Sequence, residues 1–195
     1  MNRALSEERV ARIRCALRGE QPRGGPTIDY RVPWTETDVI ERGAIDMVFS
    51  QAVLEHVDDL RGTYEAMAAW LKPDGLISHQ IDLRSHGFAH EWNGHWKYSW
   101  RSWMRLRRGR PWTINRATAS WHADEAARAG FNVVREMRFR NSPGISRAAL
   151  ADRFAGMSND DLATSGVFLQ AWKLRWPTVD VSAKLRARLN PGIGR

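Results

Sequence analysis

The stretch from Ile45 to Leu83 constrains the fold more than any other part of the chain. Ile45 to Phe49 is a compact apolar run, opened by Gly43 and carrying Asp46 near its start. Such a run suits a strand buried on both faces, as in a parallel sheet. Leu60, Tyr64, Met67, Ala68 and Leu71 then recur at helical spacing, with Asp58 and Asp59 in front, where acids favour the helix dipole. Lys72-Pro73-Asp74-Gly75 reads as a stop, and Leu76 to Leu83 as a second strand. Strand, loop, helix, turn and strand in about forty residues make the parallel crossover pattern.

The flanking sequence reads more loosely. Leu5 to Leu17 carries apolar residues at Leu5, Val10, Ile13 and Leu17 and predicts a short amphipathic helix starting near Ser6. Gly19 to Pro26 is a breaker-rich loop. Ile28, Tyr30 and Val32 alternate, which predicts a strand over Thr27 to Val32, ended by Pro33. Thr35 to Glu41 reads as a short helix or turn. His86 to Trp112 reads as mixed helix and loop, and Ser120 to Gly130 as a helix capped by Ser120. Phe131 to Phe139 predicts a strand, Arg147 to Phe154 a helix, Asp160 to Thr164 a turn, and Gly166 to Leu174 a last strand. From Pro177 on the chain reads as a tail, with a helix near Val181 to Leu189.

Bulk properties exclude several classes. A chain of 195 residues with 43% hydrophobic residues and 10 tryptophans can bury one real core. No apolar run approaches the roughly 20 residues needed to span a bilayer. The first residues are rich in Arg and Glu and have no apolar signal core, so a cytoplasmic location is expected. The single Cys15 makes no internal disulfide and agrees with a reducing compartment. The net charge of +8 is carried mostly by scattered arginines, so a solvated surface explains it better than nucleic-acid binding. The exception is the cluster Arg101, Arg105, Arg107, Arg108 and Arg110, beside Trp100, Trp103 and Trp112, which reads as a solvated face or as a contact for an acidic acceptor.

Ile45-Asp46-Met47-Val48-Phe49-Ser50, then Gln51-Ala52-Val53-Leu54-Glu55-His56-Val57, then Leu71-Lys72-Pro73-Asp74-Gly75 resemble the central segment of class I S-adenosylmethionine (SAM) methyltransferases of the type 11 kind. That family shows a strand of the form "fDlvfs", a "vlEHv" turn, a helix and an "LkPgG" stop, in this order. Asp74 stands where glycine is more usual. Ile81-Asp82-Leu83-Arg84-Ser85-His86, the Trp-rich insert, Ile114-Asn115-Arg116 and Ala129-Gly130-Phe131 resemble one subset of the family. The resemblance implies an α/β, Rossmann-like methyltransferase fold over 27–176, between an N-terminal helix and loop (1–26) and a tail (177–195). It implies SAM as cofactor, with Ser50, Gln51 and Ala52 beside its methionine part, and a small-molecule or glycan acceptor. Ligands of open α/β sheets sit at the carboxyl ends of strands, which makes Asp82, Arg84, His86 and Trp96 candidate acceptor contacts. His56 is a candidate base, although it and Glu55 also suit a structural role in the loop. Asp46 is read as structural.

Two further groups keep two readings. Trp92, Trp96, Trp100 and Trp103 recur at helical spacing, as a core stripe or as a wall of the acceptor pocket. His86, His90 and His95 are spaced as metal ligands can be, but Gly87 and Gly94 weaken a helix there, and no metal site is expected. The family's opening strand and "GxGxG" loop find no counterpart in Met1 to Val48, where Gly24-Gly25 follows no strand. The fold is therefore expected to be incomplete, lacking the first two strands, with unpaired edges that favour homo- or hetero-oligomers. The alternative to an active enzyme is a non-catalytic remnant serving as a binding or regulatory partner.

Overall fold

The computed structural model describes residues 6–20, 25–32, 38–110 and 113–174. The chain divides into two compact units, Met1–Val39 and Ile40–Arg195. In the first, helix α1 spans Glu7–Leu17, and the Ser6 hydroxyl caps it by accepting from the Arg9 amide. The strand expected over Thr27 to Val32 does not form: these residues are irregular. Ile28, Tyr30 and Val32 are 53%, 87% and 65% exposed, so their alternation meets no core, and a lone extended segment has no ladder to stabilise it.

The second unit is built on four strands, β1 (Ile45–Gln51), β2 (Leu71–Asp82), β3 (Phe131–Arg140) and β4 (Thr164–Lys173), ordered β1-β2-β4-β3. β1 runs parallel to β2, and the other pairings are antiparallel. Helix α2 (Leu60–Trp70) makes the crossover, with the Asp59 carboxylate accepting from the Gly62 amide at its start. The Lys72 to Gly75 stop is absorbed into β2 as a bulge: Ile45 pairs with Leu71, and Met47 already pairs with Leu76. Asp74 takes φ 63° in this bulge. Gly75 is required there, because a Cβ would lie 2.8 Å from Leu71 Cδ2 and 2.9 Å from the Lys72 carbonyl.

Helix α3 covers Trp100–Arg107 and α4 covers Ala119–Arg128. The cap of α4 is Thr118 and not Ser120, whose amide and hydroxyl instead donate to Asp161. The helix expected over Arg147 to Phe154 is two separate 3-10 turns, Arg147–Ala149 and Asp152–Phe154. The turn expected near Asp160 is a short helix, α5 (Asn159–Ala163). Pro33, Thr35, Trp112 and the tail with its expected helix lie outside the described residues.

Strand register defines two unlike sheet faces. Val48, Ile77, Ala171 and Val133 share one face with Ser50, His79 and Leu169. That face packs in the main core with Tyr64, Met67 and Trp70 of α2 and Ala126 of α4. The opposite face carries Met47, Phe49, Met137 and Trp172, which stay 46%, 74%, 47% and 45% exposed. A second, smaller core gathers Trp96, Phe154 and Met157. No helix among the described residues is long and apolar enough to cross a membrane.

Candidate cofactor and acceptor site

Because β1 and β2 are parallel, their carboxyl ends open on the same side, where ligands of such sheets bind. Ser50 near the end of β1 is hydrogen-bonded to His79 Nδ1 at 2.8 Å, across the strand pair. Gln51 and Ala52 are exposed. Ala52 takes φ 53°, and its amide donates to the Gln80 carbonyl at 2.9 Å, so the chain leaves the sheet in a tight turn. A 3-10 turn, Leu54–His56, follows. Asn115 pins it from the far side of the sequence, donating to the carbonyls of Leu54 (2.7 Å) and Val57 (2.8 Å), while its amide donates to the Glu55 carbonyl.

At the end of β2 the Asp82 carboxylate accepts from the Arg84 amide and from its guanidinium. Burial raises the pKa of Asp82, but these Arg84 bonds outweigh it and hold the carboxyl below the usual carboxylate range. His86 follows with φ 48°, a left-handed backbone, and its Nε2 lies 3.4 Å from Asp82. The His56 and His86 rings meet edge to face at 5.2 Å. A small cavity of about 10 Å³, room for about one water, is lined in part by Glu55, Asp82, Arg84, His95, Asn115 and Arg116.

Glu55 is 2% exposed, and neither carboxylate oxygen meets hydrogen-bond geometry with any described group. Burial pushes its carboxyl up from the ordinary value, against the pull of nearby amides and His56. His95 is pushed down to about 3 by burial, helped by the charge of Arg116, and is neutral at physiological pH. Arg116 is 2% exposed and φ 68°. Its guanidinium sits 4.6 Å from the Trp103 ring and donates to the carbonyls of Tyr98 and His95, tying α3 to this edge of the sheet.

Ser50, Gln51 and Ala52 thus lie together at one strand end, and Asp82, Arg84 and His86 at the next, with His56 joining His86. Trp96 does not join them: it is fully buried, and its Nε1 donates to the Arg116 carbonyl. A core position explains the tryptophan spacing there, since Trp103 is also buried, while Trp100 stays exposed. His86 is not grouped with His90 and His95 but with Glu55 and His56. Arg101, Arg105, Arg108 and Arg110 are exposed, and Arg107 pairs with Asp58. Sequence reasoning passed over Glu55, Asn115 and Arg116 as functional groups. The signal for Glu55 was a carboxylate set between Leu54 and the imidazole of His56 in a short loop.

The crossover, the strand order and the polar strand ends define a Rossmann-like α/β protein of the methyltransferase kind. The methyltransferase domain family matches residues 9–136, and the chain belongs to that family. Its members transfer methyl groups from SAM. No curated protein matches the chain in sequence. Among solved structures, a SAM-dependent methyltransferase from Methanosarcina mazei is 12% identical, with 87% of this chain and 79% of that one covered and a TM-score of 0.53. A candidate sarcosine dimethylglycine methyltransferase from Galdieria sulphuraria is 13% identical, with 86% and 65% covered and a TM-score of 0.49. The complex of the Haloferax volcanii Trm112 methyltransferase activator with a methyltransferase gives 14%, 69%, 57% and 0.42. The first of these shows a shared fold. The chain spans less than two thirds of the length of the other two.

The residues present fit one side of SAM. The exposed turn at Gln51 and Ala52 offers an accessible wall at a strand end. Among the described residues no strand precedes β1, and its outer edge has no strand neighbour.

Proposed function

We propose that this chain acts in SAM-dependent methyl transfer to a small-molecule or glycan acceptor. Ser50, Gln51 and Ala52 border the methionine side of the cofactor, and Asp82, Arg84 and His86 receive the acceptor. The observation that supports this most is that the polar end of β1 and the polar end of β2 lie side by side at the carboxyl edge of one parallel pair. Bound SAM supplies an electrophilic methyl group; the chain's own contribution is placement, which carries much of the rate in such reactions. Asp82, kept ionised by Arg84, offers a fixed acceptor for ligand hydroxyls, and Arg84, held by Asp82 but 60% exposed at its side chain, presents its remaining N–H groups to an acidic group. For a hydroxyl acceptor, His56 is the candidate proton acceptor.

Calorimetry with SAM on the 195-residue chain tests this reading. Binding is expected to be weak, because one wall of the site is provided, and D82N is expected to leave it unchanged while weakening acceptor binding at least tenfold. Absence of any SAM binding removes the enzymatic reading for this chain. The second reading, a non-catalytic binding or regulatory partner, is favoured by the free edge of β1. Methyl transfer by the purified chain alone would sink it.

A further inference from the structure

We propose that Glu55, His56 and His86 form a binding site for a divalent transition-metal cation of the Zn²⁺ type. Each of the three brings one ligand atom within 4.8 Å of the other two, and no other such group is found among the described residues. Two imidazoles and one carboxylate are a donor set that Zn²⁺ and its first-row neighbours take readily, with positions left open for solvent or an acceptor oxygen. A tetrahedral ion with bonds of about 2.0–2.2 Å holds its ligand atoms about 3.3 Å apart. The farthest pair therefore closes by roughly 1.5 Å, within reach of small side-chain rotations.

A second observation points to a ligand independently of this spacing. Both carboxylate oxygens of Glu55 and Nδ1 of His56 are buried without a hydrogen-bond partner, and Glu55 is 98% buried by its 2% exposure. A buried carboxylate that nearby amides approach without good hydrogen-bond geometry is costly, and so is a ring nitrogen with no partner. A cation between them relieves both. His86 has 27% of its side chain exposed, which gives the ion a way in from solvent. The supports are also in place. Asn115 fixes the turn that carries Glu55 and His56. Asp82 is occupied by Arg84 and lies 3.4 Å from His86 Nε2, so it orients that imidazole from outside the metal shell. With an ion bound, His56 is a ligand and no longer a free base, so the site goes beyond the proton-transfer role given to it above.

The test uses the full chain, stripped with a chelator and titrated with Co²⁺ while visible absorption is followed, then with Zn²⁺ by calorimetry. One equivalent is expected to bind, with the absorption bands of a four- or five-coordinate Co²⁺ that Zn²⁺ displaces. H56Q and H86N each weaken binding at least tenfold; asparagine tolerates the left-handed backbone at this position. E55Q keeps the shape of the buried side chain and also weakens binding tenfold or more. H90Q, at an exposed histidine, binds as the parent does, and far-UV circular dichroism shows that every variant is folded. Binding below one equivalent, or binding that E55Q, H56Q and H86N leave unchanged, overturns the site and marks it as a water-filled polar pocket or as adventitious histidine binding. Neither result depends on SAM, so failure here is separable from failure of the methyl-transfer reading.

Discussion

Protonating His79 or His122 places a charge in a core that has little to solvate it. His79 is 1% exposed and His122 fully buried, and the latter is hydrogen-bonded to the Tyr64 hydroxyl at 3.2 Å. Burial lowers His79 from 6.5 to about 4 and His122 to about 3, the latter with a contribution from His79. The groups around them are Tyr64, Ser50 and Glu125, the last already paired with Arg128. The unfolded chain therefore binds protons near pH 6.5 that the folded chain refuses until the pH is much lower. Stability is full above 6.5 and is lost as the pH falls towards 4, by up to about 1.4 kcal/mol per pH unit for each histidine. Thermal unfolding followed by circular dichroism at pH 7 and pH 5 is expected to show a fall of several degrees, and H122Q is expected to reduce it. Equal melting temperatures would contradict the burial argument. At this scale the sequence was hard to read. His79 falls inside the strand expected over Leu76 to Leu83, so its place in the sheet followed from that pattern. The pairing of Glu55 and His56 with His86 was not, because it joins two loops thirty residues apart through the left-handed turn at His86.

Elements followed their periodicity where burial enforces it. β1, α2, β3 and β4 form close to where their apolar patterns fall, since each faces the main core. The pattern misled where burial was missing, as over Thr27 to Val32, where alternation without a partner strand gives irregular chain. It also misled where side chains competed for the same role. Thr118 and Ser120 are both able to cap α4, but Asp161 and Arg138 engage the Ser120 hydroxyl, and Thr118 is left to accept from the Trp121 amide. T118A is accordingly expected to destabilise the protein by about 1 kcal/mol, a loss of roughly 2–4 °C in melting temperature for a chain of this size. An unchanged melting temperature would show that α4 is held by packing alone. The Trp-rich insert was read as mixed helix and loop, and its organiser, Arg116, gives no periodic signal at all. A buried guanidinium stacked on Trp103 and Phe154 becomes visible only once the chain is folded.

For the whole molecule, the family was legible from ordered motifs; among the described residues the sheet has four strands, with β1 at its edge. What the sequence did not reveal is how one-sided the sheet is. Phe49 at 74% exposure, together with Met47, Met137 and Trp172, leaves an apolar face open beside the free edge of β1. Exposed apolar surface next to an unpaired edge promotes association. The purified chain is expected to sediment as larger species as its concentration rises, and F49K to shift it towards monomer. A parent chain that stays monomeric throughout would show that the face is tolerated by itself.

The strand order also sets a timetable for the growing chain. β2 lies between β1 and β4, yet β4, which starts at Thr164, is reached about eighty residues after β2 ends at Asp82. At synthesis rates of about 5–20 residues per second, that is on the order of 5–20 seconds. Throughout that interval Ile77, Ile81 and their neighbours have no partner on their second edge. The ribosome thus releases the centre of this sheet half finished, and whatever shields newly made chains in the cell has that interval in which to act.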